Sequence, residues 1–260
     1  MQGYVPVKDG AIFYTIQGKG PWLVLVHGAW TNHKWWRFII PTLSRHFRIL
    51  CFDLRGHGKS TKLQTPYSVK GFASDLDAIM SYFEIDECVL IGWSLGGCIA
   101  MQYCIDAPKK VKALVLISTR SKKDFKMMLE ILLFKYLARL HVVSFEEQII
   151  KRFHMMFLPK TPTKIVDWAT QELLRASKDF FLIADSFLNW KLSGELRDIK
   201  IPSLIITGDK DALVPKKFSA KIQKELPSGK LVVLKNCSHV AILDRSKETC
   251  KAIQEFLGNI

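Results

Sequence analysis

Apolar residues along the chain fall into short continuous runs separated by stretches with helical spacing. Trp22–Val26, Arg48–Phe52, Cys88–Ile91, Ala113–Ile117, Ser203–Thr207 and Lys230–Leu234 are each four or five residues long and rich in Val, Ile and Leu. Runs of this kind predict central strands covered on both faces. Phe13–Gln17 predicts a further strand with its partner just upstream. Between them, Gly71–Phe83 carries Phe72, Leu76, Ile79 and Phe83 three or four residues apart, the spacing of one helix face. Leu95–Ile105, Lys216–Glu225 and Lys247–Phe256 predict helices as well. Alternating strands and helices imply an α/β architecture, a mostly parallel sheet with helices on both faces. In such sheets function sits at the carboxyl ends of the strands.

The rhythm breaks once. Residues 120–195 contain no convincing strand, only helical periodicity rich in Leu, Phe, Met, Trp and Lys. This segment is expected to be an all-helical cap, inserted into a core made of residues 1–119 and 196–260. An insertion at the active edge of a sheet is most simply a lid.

Composition removes several function classes. With 260 residues, 48% hydrophobic and 24% charged, the chain is an ordinary globular protein, neither disordered nor a small disulfide scaffold. Its net charge of +14 raises nucleic acid or an anionic partner as candidates. The three segments 1–119, 120–195 and 196–260 nevertheless carry excesses of +5, +4 and +5, with no run of five like charges. Dispersed charge predicts solubility and no nucleic-acid partner. The first ten residues lack the basic-then-apolar pattern of a signal peptide. Residues 127–145, the most apolar long stretch, are interrupted by Glu130, Lys135, Arg139 and His141, so no membrane span is expected. The six cysteines show no Cys-x-x-Cys and no metal-ligand spacing. Free buried thiols and a cytoplasmic setting are therefore expected.

Chemistry concentrates at the strand ends. Gly92-Trp93-Ser94-Leu95-Gly96 is a Gly-x-Ser-x-Gly sequence between a predicted strand and a predicted helix. In that context the serine sits on a sharp turn and presents its hydroxyl above the sheet. A serine hydroxyl needs a base to become a nucleophile. His239, after the last strand in Asn236-Cys237-Ser238-His239, is the best placed. His141 and His154 fall in the helical insertion, His33 and His46 in polar surroundings, and His27 and His57 in turns. An acid must then hold the base in one tautomer, and Gly208-Asp209-Lys210-Asp211 offers two carboxylates after a strand. The backbone N–H groups of Leu95 and of Ala29, in His27-Gly28-Ala29-Trp30, are the expected oxyanion donors.

His27-Gly28, Asp53-Leu54-Arg55-Gly56-His57-Gly58-Lys59-Ser60, Gly92-Trp93-Ser94-Leu95-Gly96-Gly97, Gly208-Asp209-Lys210-Asp211 and His239 follow one another in an order that resembles the α/β-hydrolase superfamily over essentially the whole chain. The resemblance implies an eight-stranded sheet, a helical cap and hydrolysis through an acyl-enzyme. It also implies Ser94 as nucleophile, His239 as base and Asp211 as orienting acid, with Asp209 a turn residue. Serine at position 94 speaks against the dehalogenase and epoxide-hydrolase branches. Val240, where similar hydroxynitrile lyases carry lysine, speaks against those. The elbow is similar to those of pimeloyl-carrier-protein methyl esterases, enol-lactonases and bacterial arylesterases.

The expected activity is carboxylic-ester hydrolysis, which requires no cofactor or metal. Lactonase, thioesterase, C–C hydrolase or perhydrolase activity would use the same machinery, and a non-catalytic ligand receptor would usually lack one of the three residues. Trp30 and Trp93 beside the oxyanion donors, with Phe134, Leu137, Phe153, Met155, Met156 and Phe157 from the cap, are expected to line an apolar cleft for an acyl or aromatic ester. Trp35 and Trp36 are expected to pack. Arg139, Lys151, Arg152 and Arg175 offer charge to an acidic acyl carrier protein.

Overall fold

Eight strands form one sheet: Gln2–Val7 (β1), Gly10–Gln17 (β2), Trp22–Val26 (β3), Arg48–Phe52 (β4), Cys88–Trp93 (β5), Val111–Ile117 (β6), Ser203–Gly208 (β7) and Gly229–Leu234 (β8). The computed structural model describes residues 1–122, 125–139, 145–176, 180–188, 190, 192 and 194–259. The spatial order is β1-β2-β4-β3-β5-β6-β7-β8. Only the β1–β2 and β2–β4 pairings are antiparallel, and the remaining strands run parallel.

The helices are Ile40–Leu43 (α1), Val69–Tyr82 (α2), Leu95–Asp106 (α3), Phe125–Arg139 (α4), Phe145–His154 (α5), Thr163–Ala176 (α6), Phe180–Leu188 (α7), Lys216–Glu225 (α8), Ala241–Asp244 (α9) and Ser246–Leu257 (α10). Strand alternation sorts the core into two faces. Val24, Val26 and Leu90 pack with Phe72, Leu76 and Ile79 of α2, with α3 and with Ile222 of α8. Leu23, Leu25, Val89, Ile91 and Trp93 pack with α1, α9, α10 and the two tryptophans Trp35 and Trp36, which are fully buried. α2 starts where Ser68 accepts a hydrogen bond from the Gly71 N–H, the side-chain cap expected of a serine there.

One expectation about the sheet needs correcting. Lys230–Leu234 lies in an edge strand, where Lys230 and Val233 are exposed, Leu231 and Val232 half-buried and Leu234 buried. β5 and β7 are buried throughout. Lys230 and the exposed Val233 mark the difference, because an edge strand has a neighbour on one side only.

The chain passes from β3 outward to β4 and returns to β5 on the other side of β3, so the order of strands reverses between β3 and β5. A crevice opens at the carboxyl ends of such a pair. Among the described residues, 120–195 contain helices α4 to α7 and no strand, between β6 and β7. No described helix is long and apolar enough to cross a membrane.

Candidate active site

Ser94 stands at that crevice, one residue after β5. Its backbone is left-handed, φ 53° and ψ −116°, a conformation that costs a non-glycine residue of order 1–3 kcal/mol. The surroundings enforce it. A Cβ on Gly92 would collide with Gly96 O, and one on Gly96 with Val26 O, so strand, turn and helix approach more closely than any side chain permits. A serine at a helix N-cap ordinarily caps with its own hydroxyl. Here no such bond forms, and the hydroxyl is free to engage another partner.

That partner is His239. Its Nε2 lies 3.0 Å from Ser94 Oγ, and its Nδ1 lies 2.9 Å from Asp211 Oδ2. Histidine and carboxylate are both buried. Asp211 Oδ1 accepts from the Leu213 N–H at 3.0 Å and the Val214 N–H at 2.8 Å, which fixes the carboxylate plane. Asp209 points elsewhere: its Oδ1 accepts from the Cys237 N–H at 3.1 Å. The structure thus brings Ser94, His239 and Asp211 together and gives Asp209 to the turn.

The expected oxyanion donors border the same point. β3 pairs with β5 through Val26↔Gly92, which carries the Gly28-Ala29 turn alongside the elbow; a Cβ on Gly28 would stand 3.2 Å from Ser94 Cβ. Among the described residues neither the Ala29 nor the Leu95 N–H has a protein acceptor. His27 braces this turn. Its Nδ1–H donates to Gly28 O at 2.7 Å while Nε2 accepts from the Leu54 N–H at 2.9 Å. Burial lowers its pKa to about 4, so the ring is neutral in that tautomer.

Of the expected substrate contacts, the structure corrects several. Trp93 is fully buried and reaches no cleft. As the last residue of β5 it shares a face with Val89 and Ile91, stacks on Trp35 at 5.2 Å and donates its indole N–H to His239 O at 3.0 Å. Phe153 is also buried, edge-on to Trp35 at 5.8 Å, and so belongs to the packing between α5 and the sheet. Met156 is buried too, and Met155 projects into solvent. Trp30 and Phe157 are partly buried, Trp30 with its ring 6.2 Å from Phe187 of α7. Leu137 is half-buried, and the side chain of Phe134 lies outside the described residues. Of the four basic candidates, Lys151 and Arg175 are exposed, Arg175 also reaching Glu172 Oε1 at 2.6 Å. The side chains of Arg139 and Arg152 lie outside the described residues, as does His141.

Sequence reasoning missed three supports. Thr119, just past β6, donates its hydroxyl to Ser94 O at 2.7 Å. Arg120 donates to Leu213 O at 2.6 Å and so steadies the loop that carries Asp211. Glu172 of α6 takes the Asn32 amide at 2.7 Å and Lys34 at 3.2 Å, tying the helices to the loop that carries Ala29. Burial would raise the Glu172 carboxyl, but these bonds hold it below its usual value. Position at a strand's carboxyl end was a usable signal for Thr119; nothing local marked Glu172.

All six cysteines are free and buried. Burial pushes the Cys88, Cys98 and Cys237 thiols up to about 12. Among the described residues no group of three or more His, Cys, Asp or Glu side chains could hold a metal ion.

A sequence model described as the alpha/beta hydrolase fold matches residues 21–246. A pimeloyl-[acyl-carrier protein] methyl ester esterase of Nitrosospira multiformis is 30% identical over 246 residues, 87% of this chain and 90% of the relative. The one from Aeromonas hydrophila is 27% identical over 265 residues, 93% and 97% of the two chains. A thermophilic esterase from Thermogutta terrifontis superposes with a TM-score of 0.90 at 19% identity, covering 100% of this chain and 98% of that one.

Proposed function

From the premise that the chain belongs to the α/β-hydrolase family, we propose that it cleaves carboxylic esters through an acyl-enzyme on Ser94. The observation that carries this reading is the continuous relay from Ser94 Oγ to His239 at 3.0 Å and from His239 to Asp211 at 2.9 Å. His239 Nε2 takes the Ser94 proton as Oγ attacks the ester carbonyl. The oxyanion that forms faces the Ala29 and Leu95 N–H groups, each donor giving on the order of 3 kcal/mol in the transition state. Collapse expels the alcohol, which receives the proton from His239. Water, deprotonated by the same nitrogen, then releases the acid. Asp211 keeps the Nδ1 proton in place and stabilises the imidazolium. No step calls for a cofactor.

Residues 120–195 act as a lid over this chemistry, with residues 1–119 and 196–260 as the core. The Trp30–Phe187 contact and the Asn32–Glu172 bond support that role. Trp30, Phe157 and Leu137 are the apolar surfaces left to receive an acyl or aromatic group. The test is hydrolysis of p-nitrophenyl esters from acetate to decanoate by the wild type and by Ser94→Ala. Loss of turnover in the variant supports the mechanism, and the chain-length optimum sizes the cleft. An unimpaired variant overturns it.

The names of the two relatives favour a second, narrower reading, a methyl ester carried on an acyl carrier protein. A preference in kcat/KM for a carrier-bound methyl ester over the free one supports it; equal values remove it.

A further inference from the structure

The outer face of α4 is apolar, exposed and unpartnered among the described residues. Leu129, Leu132, Leu133 and Tyr136 recur at i, i+3, i+4 and i+7, one line along a helix, and each is between 49% and 59% exposed. The opposite side of α4 does the packing: Met128 and Ile131 are half-buried, and Lys135 Nζ meets Asp185 Oδ1 of α7 at 2.5 Å. Isolated exposed leucines need no explanation, but three leucines and a tyrosine in one line make a contiguous patch.

Charge says what covers it. Within 120–195 the excess of +4 is not shared among the four helices. In residues 120–139, Arg120 is turned to Leu213 O and Lys135 to Asp185, which leaves Lys122, Lys123, Lys126 and Arg139 against Asp124 and Glu130, whereas residues 140–195 carry seven side chains of each sign. Lys122, Lys123 and Lys126 precede or open α4, and Arg139 closes it. Two copies meeting through α4 would bring these cations together on chains of net charge +14, which disfavours self-association. A protein partner would have to offer a groove shaped to this helix and would rely on Trp, Tyr or Arg anchors; α4 supplies one, Tyr136, beside three leucines. A lipid surface needs no matching shape, takes the apolar row into its acyl boundary and attracts the flanking lysines through its anionic headgroups.

We propose that α4 docks the protein on an anionic lipid surface, lying flat with Leu129, Leu132, Leu133 and Tyr136 inserted. This inference does not depend on the hydrolytic reading, because it is measured as binding.

The experiment is flotation with phosphatidylcholine vesicles, with and without phosphatidylglycerol, for wild type, Leu129→Ser/Leu132→Ser/Leu133→Ser and Lys122→Glu/Lys123→Glu/Lys126→Glu. Wild type is expected to float with the anionic vesicles roughly tenfold more than with neutral ones, and to be released by salt. The serine variant is expected to lose roughly tenfold or more of that binding while keeping wild-type turnover of a soluble ester, which reports that it is folded. The glutamate variant, with the apolar row intact, loses the preference for anionic vesicles. No flotation of wild type overturns the proposal, and so does equal flotation of the serine variant. A wild-type dimer that the serine variant dissolves, without vesicle binding, assigns the row to a second copy and overturns it too.

Discussion

Replacing Asp211 by asparagine exchanges one carboxylate oxygen for an NH2 group, and the surroundings dictate which one. Two backbone donors, Leu213 N–H at 3.0 Å and Val214 N–H at 2.8 Å, converge on Oδ1. They cannot face an amide nitrogen, so the asparagine oxygen stays there. The NH2 group then takes the Oδ2 place, 2.9 Å from His239 Nδ1. It donates to Nδ1, which must be unprotonated, and the neutral ring carries its proton on Nε2 instead. That proton points at Ser94 Oγ, 3.0 Å away, and the nitrogen that should accept a proton already holds one. The expected fall in kcat is about 10⁴-fold, or about 5.5 kcal/mol of transition-state stabilisation. Steady-state hydrolysis of p-nitrophenyl butyrate measures it, with a thermal melt to show an intact fold. Asp209→Asn is the control. Its Oδ1 accepts one backbone N–H, which an asparagine oxygen can also do, so activity should remain within about threefold. If Asp211→Asn keeps more than about a tenth of wild-type kcat, the tautomer argument is wrong.

Trp93→Phe keeps an aromatic ring but leaves the buried His239 carbonyl without its donor. We expect about 1–3 kcal/mol lost in a urea melt and kcat lowered more than KM is raised; a variant with unchanged kcat would refute the positioning role. Thr119→Val removes the hydroxyl from Ser94 O at similar volume, and kcat should drop by roughly tenfold. Gly96→Ala drives a methyl group into Val26 O and should abolish soluble expression; a folded, active variant would contradict the close approach described at the elbow. Burial lowers the pKa of His27 to about 4 and of His57 to about 3, from an ordinary 6.5. The unfolded chain therefore binds protons that the folded chain refuses as the pH falls below 6.5. Their contribution is complete above that pH and is lost as the pH drops toward 4, about 3 kcal/mol for His27 alone. Urea midpoints between pH 7 and pH 4.5 should fall accordingly, and a flat profile would refute it.

The parts of the fold that could be read from the sequence are those where local chemistry and burial agree. β3 and β4 lie at their expected residues because their apolar runs fall in the interior of the sheet and are bounded by the polar residues His27 and Asp53. The elbow was legible because Gly92 and Gly96 are demanded by backbone contacts within the motif itself. β8 was misplaced to the interior since the run Leu231–Leu234 is apolar enough for either position; only the sheet order makes it an edge. Trp93 was misread for a similar reason. Adjacency to Ser94 in sequence suggests the cleft, whereas strand alternation sends its ring to the opposite face, against Trp35. Phe153 and Met155 show the limit for an inserted helix: periodicity identifies an apolar face but not which neighbour covers it. Glu172 lies 140 residues from Asn32, so no local pattern relates them.

The three residues of the relay come from three different strand ends, and what holds them in register is a set of bonds between loops. Ser94 is fastened twice to the carboxyl end of β6, through its N–H to Ile117 O at 2.9 Å and through its carbonyl, which accepts from the Thr119 hydroxyl. The Asp211 turn and the His239 loop are fastened to each other twice, by Cys237 N–H to Asp209 and by Lys210 N–H to Cys237 O at 2.9 Å. Trp93 closes the circuit from the elbow to the His239 carbonyl. Asp209 is therefore the residue that spaces Asp211 from His239, even though it never faces the imidazole. Each bond fixes a backbone position, and none lies where a substrate would bind. Loosening one should leave KM nearly unchanged and lower kcat, because the cost falls on the alignment of the attacking oxygen and its base. That split separates these supports from Trp30 or Phe157, whose truncation should act chiefly on KM.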